Sequence, residues 1–545
     1  MKVDLIVRNA AIRTLDDAYP AARSIAVHHG RIVALDEDGL RGHVEIDAHG
    51  AALVPGFGDA HNHMAWFGQS LAEVDLRGLT ALEQLYDRVA ERAATLPSDG
   101  FVIGAGYDDT AIGGHPHRRE LDRAAGGRPV LLKHRSGHVS TVNSPVLERI
   151  GVLDGSAVVP EGGVVVRDDA RDPTGTLEEQ AQSLANALLV PFATDELADA
   201  IGAASAVYAA EGLTHVTECG IGGGWVGRSP RELAAYQLAR ERGDLRVRVQ
   251  LMPVAAALHA LAGHETDAGG VGLDLGVRTG FGDATLRIGA TKIFLDGSLV
   301  ARTAAMLEPF CDRHSHGYFQ SDPDAMRELI VSAHAAGWQV AAHAIGDRAV
   351  DLALDVFAHA QARHPRPDVR HRIEHAAVTS AEQIKRMADL GVTPVPQARF
   401  LAEIGDTMAA ALGPDRAEGL YRHASFLRAG LRVPGSSDRP VASGAPLLGM
   451  QSMVQRLAAS GRVIGPDERV DALTALRAYT VDTAWIAGEE HERGTLTPGK
   501  LADLVLLGDD VTTVPADRIG EIEVLATFVG GRCIHGATTF GLEES

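Results

Sequence analysis

The sequence predicts an α/β protein: a (β/α)8 barrel with a small β-domain formed by both termini and a long insertion after the first barrel strand. Three observations carry that prediction. The central region alternates short apolar runs with helical stretches, the pattern of a parallel sheet. Residues 1–54 and 489–545 consist instead of short β-rich pieces separated by Gly, Asp and Asn. Finally, His61, His63, Lys292, His343, His375 and Asp438 each stand at or near the end of one of the central apolar runs. A parallel barrel gathers strand ends at one face, where catalytic sites are built.

The elements follow in order. "VDLIVRNAAIRTL", "SIAVHHGRIVAL" and "VEIDAHGAALVPG" open the chain, and "GTLTPGKLADLVLLG" with "VLATFVGGRCIHG" repeats their style near its end. These pieces form one sheet domain closed by the two termini, and residues 55–488 form the barrel between them. The first barrel strand ends at His63. Residues 70–195 are then an insertion, with a helix in "ALEQLYDRVAERAATL" and strand-like runs in "FVIGAGYDD" and "RPVLLKHRSGHVSTVNS". An excursion of this length at the catalytic end supplies a lid or a substrate wall. Seven further strands are predicted at 212–219, 245–253, 285–295, 337–343, 370–375, 391–397 and 430–437. Between them, "DRAVDLALDVFAHAQARH" and "SAEQIKRMADLG" carry apolar residues at helical spacing.

Composition narrows the function. The formal charge is -21 over 545 residues, which argues against nucleic acid or an anionic membrane as partner, because phosphate binding needs a basic face. Cys219, Cys311 and Cys533 show no paired spacing, which fits a reducing compartment. The apolar stretch at the start is too short for a signal segment. No apolar run approaches the roughly 20 residues that cross a bilayer. The expectation is a cytoplasmic protein.

The six singled-out residues suit a catalytic metal site. On a strand, His61 and His63 point the same way, so both imidazoles can reach one ion. Lysine can ligate only when neutral or carboxylated, since an ammonium has no lone pair; the alternatives are a Lys292 paired with nearby Asp296 or one lying at the barrel mouth. His343 and His375 end their strands. Asp438 can bind metal and take a proton, or cap the helix that "SSDRPV" would start. His334 reads as helical and peripheral, and His371 as starting its strand at the opposite end from the site.

"VPGFGDAHNH" closely resembles the first-strand motif of the amidohydrolase superfamily. "KIFLDGSLVARTAAM", "AAHAIGDRAV", "HRIEHA" and "GSSDRPV" are similar to later motifs of the branch that includes N-substituted formamide deformylases. The terminal segments look like that family's composite β-sandwich. The resemblance covers essentially the whole chain with its motifs in order. It implies a TIM-barrel hydrolase holding one or two divalent ions, commonly zinc. His61, His63, Lys292 and Asp438 would surround one ion, and a carboxylated Lys292, His343 and His375 the other. A divalent ion lowers the pKa of its water to about 7, so a hydroxide nucleophile would be available, with Asp438 passing its proton to the departing nitrogen.

Substrate contacts are sought at Trp66 beside the first motif, at Tyr107, Asp108 and His138 in the insertion, and at Gln397 and Arg399 after strand seven. The expected substrate is a small linear amide such as an N-substituted formamide. Hydrolysis of a cyclic amide, carbamate or ester, or deamination of an aromatic ring, would use the same metal geometry. A non-catalytic scaffold or binding protein on the same barrel is the remaining alternative, and the intact set of six argues against it. The resemblance also suggests a homodimer.

Overall fold

The computed structural model describes residues 2–135, 139–160, 163–224, 226–264 and 270–540. The chain divides into two compact units, residues 1–67 with 194–545, and residues 68–193.

The heart of the first unit is a pair of four-stranded parallel sheets. One orders Leu286–Ile288, Arg248–Pro253, Leu213–Ile221 and Phe57–Asn62; the other orders Thr291–Phe294, Val340–Ala344, Arg372–His375 and Thr393–Val395. An isolated parallel bridge, Val254 to Lys292, links the two sheets, and another, Asn62 to Arg439, attaches the chain after residue 430 to the first strand. Every residue of Leu213–Ile221, Val340–Ala344 and Arg372–His375 is buried. Parallel strands covered on both faces have this character.

The covering helices follow from the sequence. Asp347–Arg363 buries Val350, Leu354 and Phe357 at helical spacing. Ala381–Leu390 starts with a capping box between Ser380 and Gln383 and stops at Gly391, whose φ of 64° suits a residue without Cβ. Among the described residues, no helix is long and apolar enough to cross a membrane.

Three predicted strands differ in the structure. Residues 285–295 form two short strands, because Gly289 N donates to Leu251 O while Thr291 N donates to Gln339 O, so the chain changes partner between them. Residues 391–397 shrink to Thr393–Val395, flanked and interrupted by Pro394 and Pro396. Residues 430–437 form no ladder strand; Pro434 lacks a donor there. That segment is fastened by single bonds instead: Ala60 N to Gly435 O, Gly435 N to Ala478 O, and Asp438 N to His61 O.

The terminal segments make two further sheets. Lys2–Arg8 lies between Ile25–His28 and Arg41–Asp47 in a four-stranded sheet. Ala52–Pro55 pairs antiparallel with Leu504–Leu507 in a six-stranded one. Leu5, Val27 and Ile46 of the first share a core with Leu53, Leu504 and Phe528 of the second. Ala52–Pro55 runs straight into Phe57–Asn62, so these sheets anchor the strand that carries the first histidine pair.

The second unit holds a six-stranded mixed sheet, including Val102–Tyr107, Val130–His134 and Val139–Val142. Helices Leu82–Thr95 and Arg118–Ala124 bury Leu85, Val89 and Leu121 in the core formed with Val102, Val130 and Leu132.

Candidate metal centre

The structure brings all six singled-out residues of the first unit together, and all are buried. His61 and His63 project from the same side of the first strand, their ring centroids 5.6 Å apart. Their Nε2 atoms converge on one oxygen, Asp438 Oδ1, at 3.3 and 3.1 Å. Lys292 Nζ lies 3.5 Å from His61 Nε2. The His375 ring is 5.0 Å from that of His61 and 4.4 Å from that of His343.

Local backbone makes this convergence possible. Asp438 has φ +60° and His375 φ +71°, in the left-handed region that costs a side chain about 1–2 kcal/mol. On a regular strand Glu374 and His375 would face opposite sides. The positive φ at His375 breaks that alternation, and both residues reach His61. Gly56 and Gly58 permit the close approach of the first strand, because a Cβ at either would overlap the side chain of Thr214 or His215.

A second set of residues, outside the six, surrounds these groups. His61 Nδ1 donates to Glu374 Oε2 at 2.5 Å. Arg372 Nε donates to Glu374 Oε1 at 2.7 Å, and its Nη2 to Ala60 O at 2.6 Å. Glu218 lies 3.6 Å from His63 Nδ1 and accepts from the Tyr236 hydroxyl at 2.5 Å. His343 Nε2 donates to Gly297 O at 2.9 Å, and the Asp296 carboxylate beside it accepts from the backbone N–H groups of Ala305, Ile345 and Gly346. Asp59 accepts from Ser437, fixing the turn before Asp438. The one sequence cue to Glu374 was Arg372 two residues earlier on the same strand face.

The expected substrate contacts fare differently. Gln397 does not line an opening: it is fully buried, accepts from His375 Nδ1 at 2.7 Å and donates to Val395 O and the Ser436 hydroxyl. Arg399 is committed to Glu403, one helical turn on, at 2.7 Å. Trp66 is half-buried, with its ring 5.8 Å from that of His63 and the Arg228 guanidinium 4.8 Å from its centroid. In the second unit, Tyr107 is buried with its hydroxyl bonded to Thr141 and His115. Asp108 caps helix Asp109–Ile112 and pairs with Arg135. His138 lies outside the described residues. His334 is helical as expected but fully buried, bonded to His371.

The electrostatics ask for a cation. With its Nδ1–H committed to Glu374, His61 turns Nε2 toward Asp438 Oδ1, an arrangement that favours a proton or a metal cation between them. Burial alone would lower the His61 pKa, but Cys219, Glu374 and Asp438 outweigh it and raise it well above the usual imidazole value. Burial pushes the Asp438 carboxyl up, yet His61, His63 and His375 hold it well below the ordinary range. Burial lowers Lys292, and it lowers His375 and His343, the latter to about 3, so both imidazoles stay neutral. The donor atoms of His61, His63 and Asp438 lie within 4.8 Å of one another. Neutral imidazole nitrogens plus a carboxylate oxygen are the donor set that a borderline-soft divalent ion takes. The residues fit the ion.

The amidohydrolase family matches residues 44–535 of this chain. The N-substituted formamide deformylase of Arthrobacter pascens is 31% identical, the match covering 97% of each chain. Protein LONG AFTER FAR-RED 3 of Arabidopsis thaliana is 30% identical over 98% of this chain and 91% of its own. Among solved structures, an uncharacterized metal-dependent hydrolase from Pyrococcus furiosus superposes with a TM-score of 0.76 at 26% identity, covering 93% of this chain and 100% of the other. The fold is of the TIM-barrel α/β type. This chain therefore belongs to the amidohydrolase family, hydrolases of carbon–nitrogen bonds other than peptide bonds.

Proposed function

We propose that this protein hydrolyses the C–N bond of a small linear amide, an N-substituted formamide first among them, at a divalent metal centre. The observation that carries the reading is the convergence of His61, His63 and Asp438 donor atoms on one point, with His343 and His375 beside it. Identity of 31% along nearly the whole chain to a formamide deformylase supports the substrate class.

His61, His63 and Asp438 with a carboxylated Lys292 would hold one ion, and Lys292, His343 and His375 would hold a second. Zinc suits these donors. When bound, such an ion polarises a carbonyl and makes water acidic enough to act near neutral pH. The chain's own residues supply the rest. His61 and His63 beside it hold the Asp438 carboxyl well below the ordinary range, so it is present as the carboxylate, which can accept the proton of the attacking water. It can then deliver that proton to the departing nitrogen, leaving a carboxylic acid and an amine. Burial of all six groups keeps their mutual interactions strong by excluding bulk water.

The test is amine release from N-alkyl and N-aryl formamides beside the matching acetamides, carbamates and cyclic amides. Formamides turned over fastest, with formate as co-product, is the expected result. Turnover confined to rings or carbamates would overturn the substrate class.

A further inference from the structure

We infer that Glu374 is a positioning residue: it fixes the ring and tautomer of His61 for metal binding, through a buried chain running Arg372–Glu374–His61. The inference rests on the metal-centre reading above and adds to it a residue outside the six proposed ligands.

The four histidines of the site are held by different partners. His375 Nδ1 donates to a neutral amide, Gln397. His343 donates through Nε2 to a backbone carbonyl, Gly297 O. His63 Nδ1 faces Glu218 at 3.6 Å, beyond hydrogen-bond reach. His61 Nδ1, the ring nitrogen turned away from Asp438, meets the Glu374 carboxylate at 2.5 Å. A carboxylate can only accept, so Nδ1 carries a proton and Nε2 is the nitrogen left for a metal ion to take. That nitrogen points to Asp438 Oδ1 and Lys292 Nζ, where a metal would sit. Carboxylates placed behind metal-bound histidines orient the ring and strengthen the donor nitrogen.

The anion is itself held. Arg372 meets both Glu374 oxygens, at 2.7 and 3.1 Å, and the same guanidinium bonds Ala60 O, the carbonyl immediately before His61. One cation thus sets the position of the carboxylate and of the backbone that carries the ring. Arg372 and Glu374 are both fully buried. Burying an ion pair does little for stability by itself, and His375 adopts a left-handed φ that lets Glu374 face inward beside it. A pair serving only as core packing would require neither that backbone nor the contact to His61.

The experiment is a zinc titration against a chromophoric chelator on the full chain, with the folded fraction of each variant taken from thermal unfolding. Glu374→Gln leaves the Arg372 cation unmatched, so the charge-neutral double variant Arg372→Met/Glu374→Gln is measured beside it, with His61→Asn as the direct-ligand control. Zinc affinity of the folded protein is expected to fall about 10–100-fold in both Glu374 variants, and at least as far in His61→Asn. Wild-type affinity in both Glu374 variants, with affinity lost in His61→Asn, would overturn the positioning role and leave the metal centre standing. A wild-type protein that takes up no divalent ion would overturn the metal centre, and this inference with it.

Discussion

Asp438 is the residue on which the proposed chemistry turns, its Oδ1 shared by two imidazoles and its backbone held in a left-handed conformation with a bond from its N–H to His61 O. Asp438→Asn keeps the shape and removes the proton acceptor. It should lower kcat for amide hydrolysis by about 10²–10⁴-fold with an unchanged circular-dichroism spectrum; near-normal turnover would end the shuttle assignment. At this scale the sequence picked out side chains that the fold brings together, because His61, Lys292, His343, His375 and Asp438 all end or occupy predicted strands. The residues behind them were hidden. An acid inside such a run looks like a solvent-facing member of an alternating strand until its partner is known. The partners of Glu218 and Asp296 are the Tyr236 hydroxyl and the backbone N–H groups of residues 305, 345 and 346, which only the fold brings near. Gln397 was misread for the same reason: from its position after a strand it could face the mouth, yet its amide is spent on His375 and two neighbours.

Among the elements, the first strand explains the small residues that precede its histidines. Gly58 faces the ring of His215 on the neighbouring strand, and a Cβ there would also press on Thr483 Oγ1. Both neighbours are buried, so neither can swing away. Gly58→Ala should therefore destabilise by about 1–3 kcal/mol, the usual cost of overpacking a core, seen as a lower Tm; an unaltered Tm would contradict the account of that approach. Helices were legible through their 3.6-residue periodicity and their Gly stops, as at Gly391. Strands seven and eight were less so. The apolar patterning of "GVTPVPQ" and "GLRVPGSS" is strand-like, but Pro394, Pro396 and Pro434 withdraw the ladder donors, and that side of the fold relies on single bonds to residues 60, 61 and 478.

For the molecule as a whole, the order of motifs along the chain was enough to indicate a parallel α/β fold with its chemistry at strand ends. The insertion was legible because residues 70–195 lie between two barrel strands and carry their own helical and strand-like patterns; the structure packs residues 68–193 as a unit with a separate core. What its side chains contribute was less legible, since Tyr107 and Asp108 resemble loop polarity in sequence but are engaged by Thr141, His115 and Arg135. The central claim, metal-dependent C–N hydrolysis, belongs to this scale because ligands from residues 61 to 438 must assemble at once. The most direct measurement is amine release from an N-substituted formamide by protein stripped with a strong chelator, before and after zinc is restored, with bound metal quantified in each sample. The account predicts turnover lost on stripping and recovered in proportion to zinc taken up; full turnover by protein carrying no stoichiometric metal would contradict it.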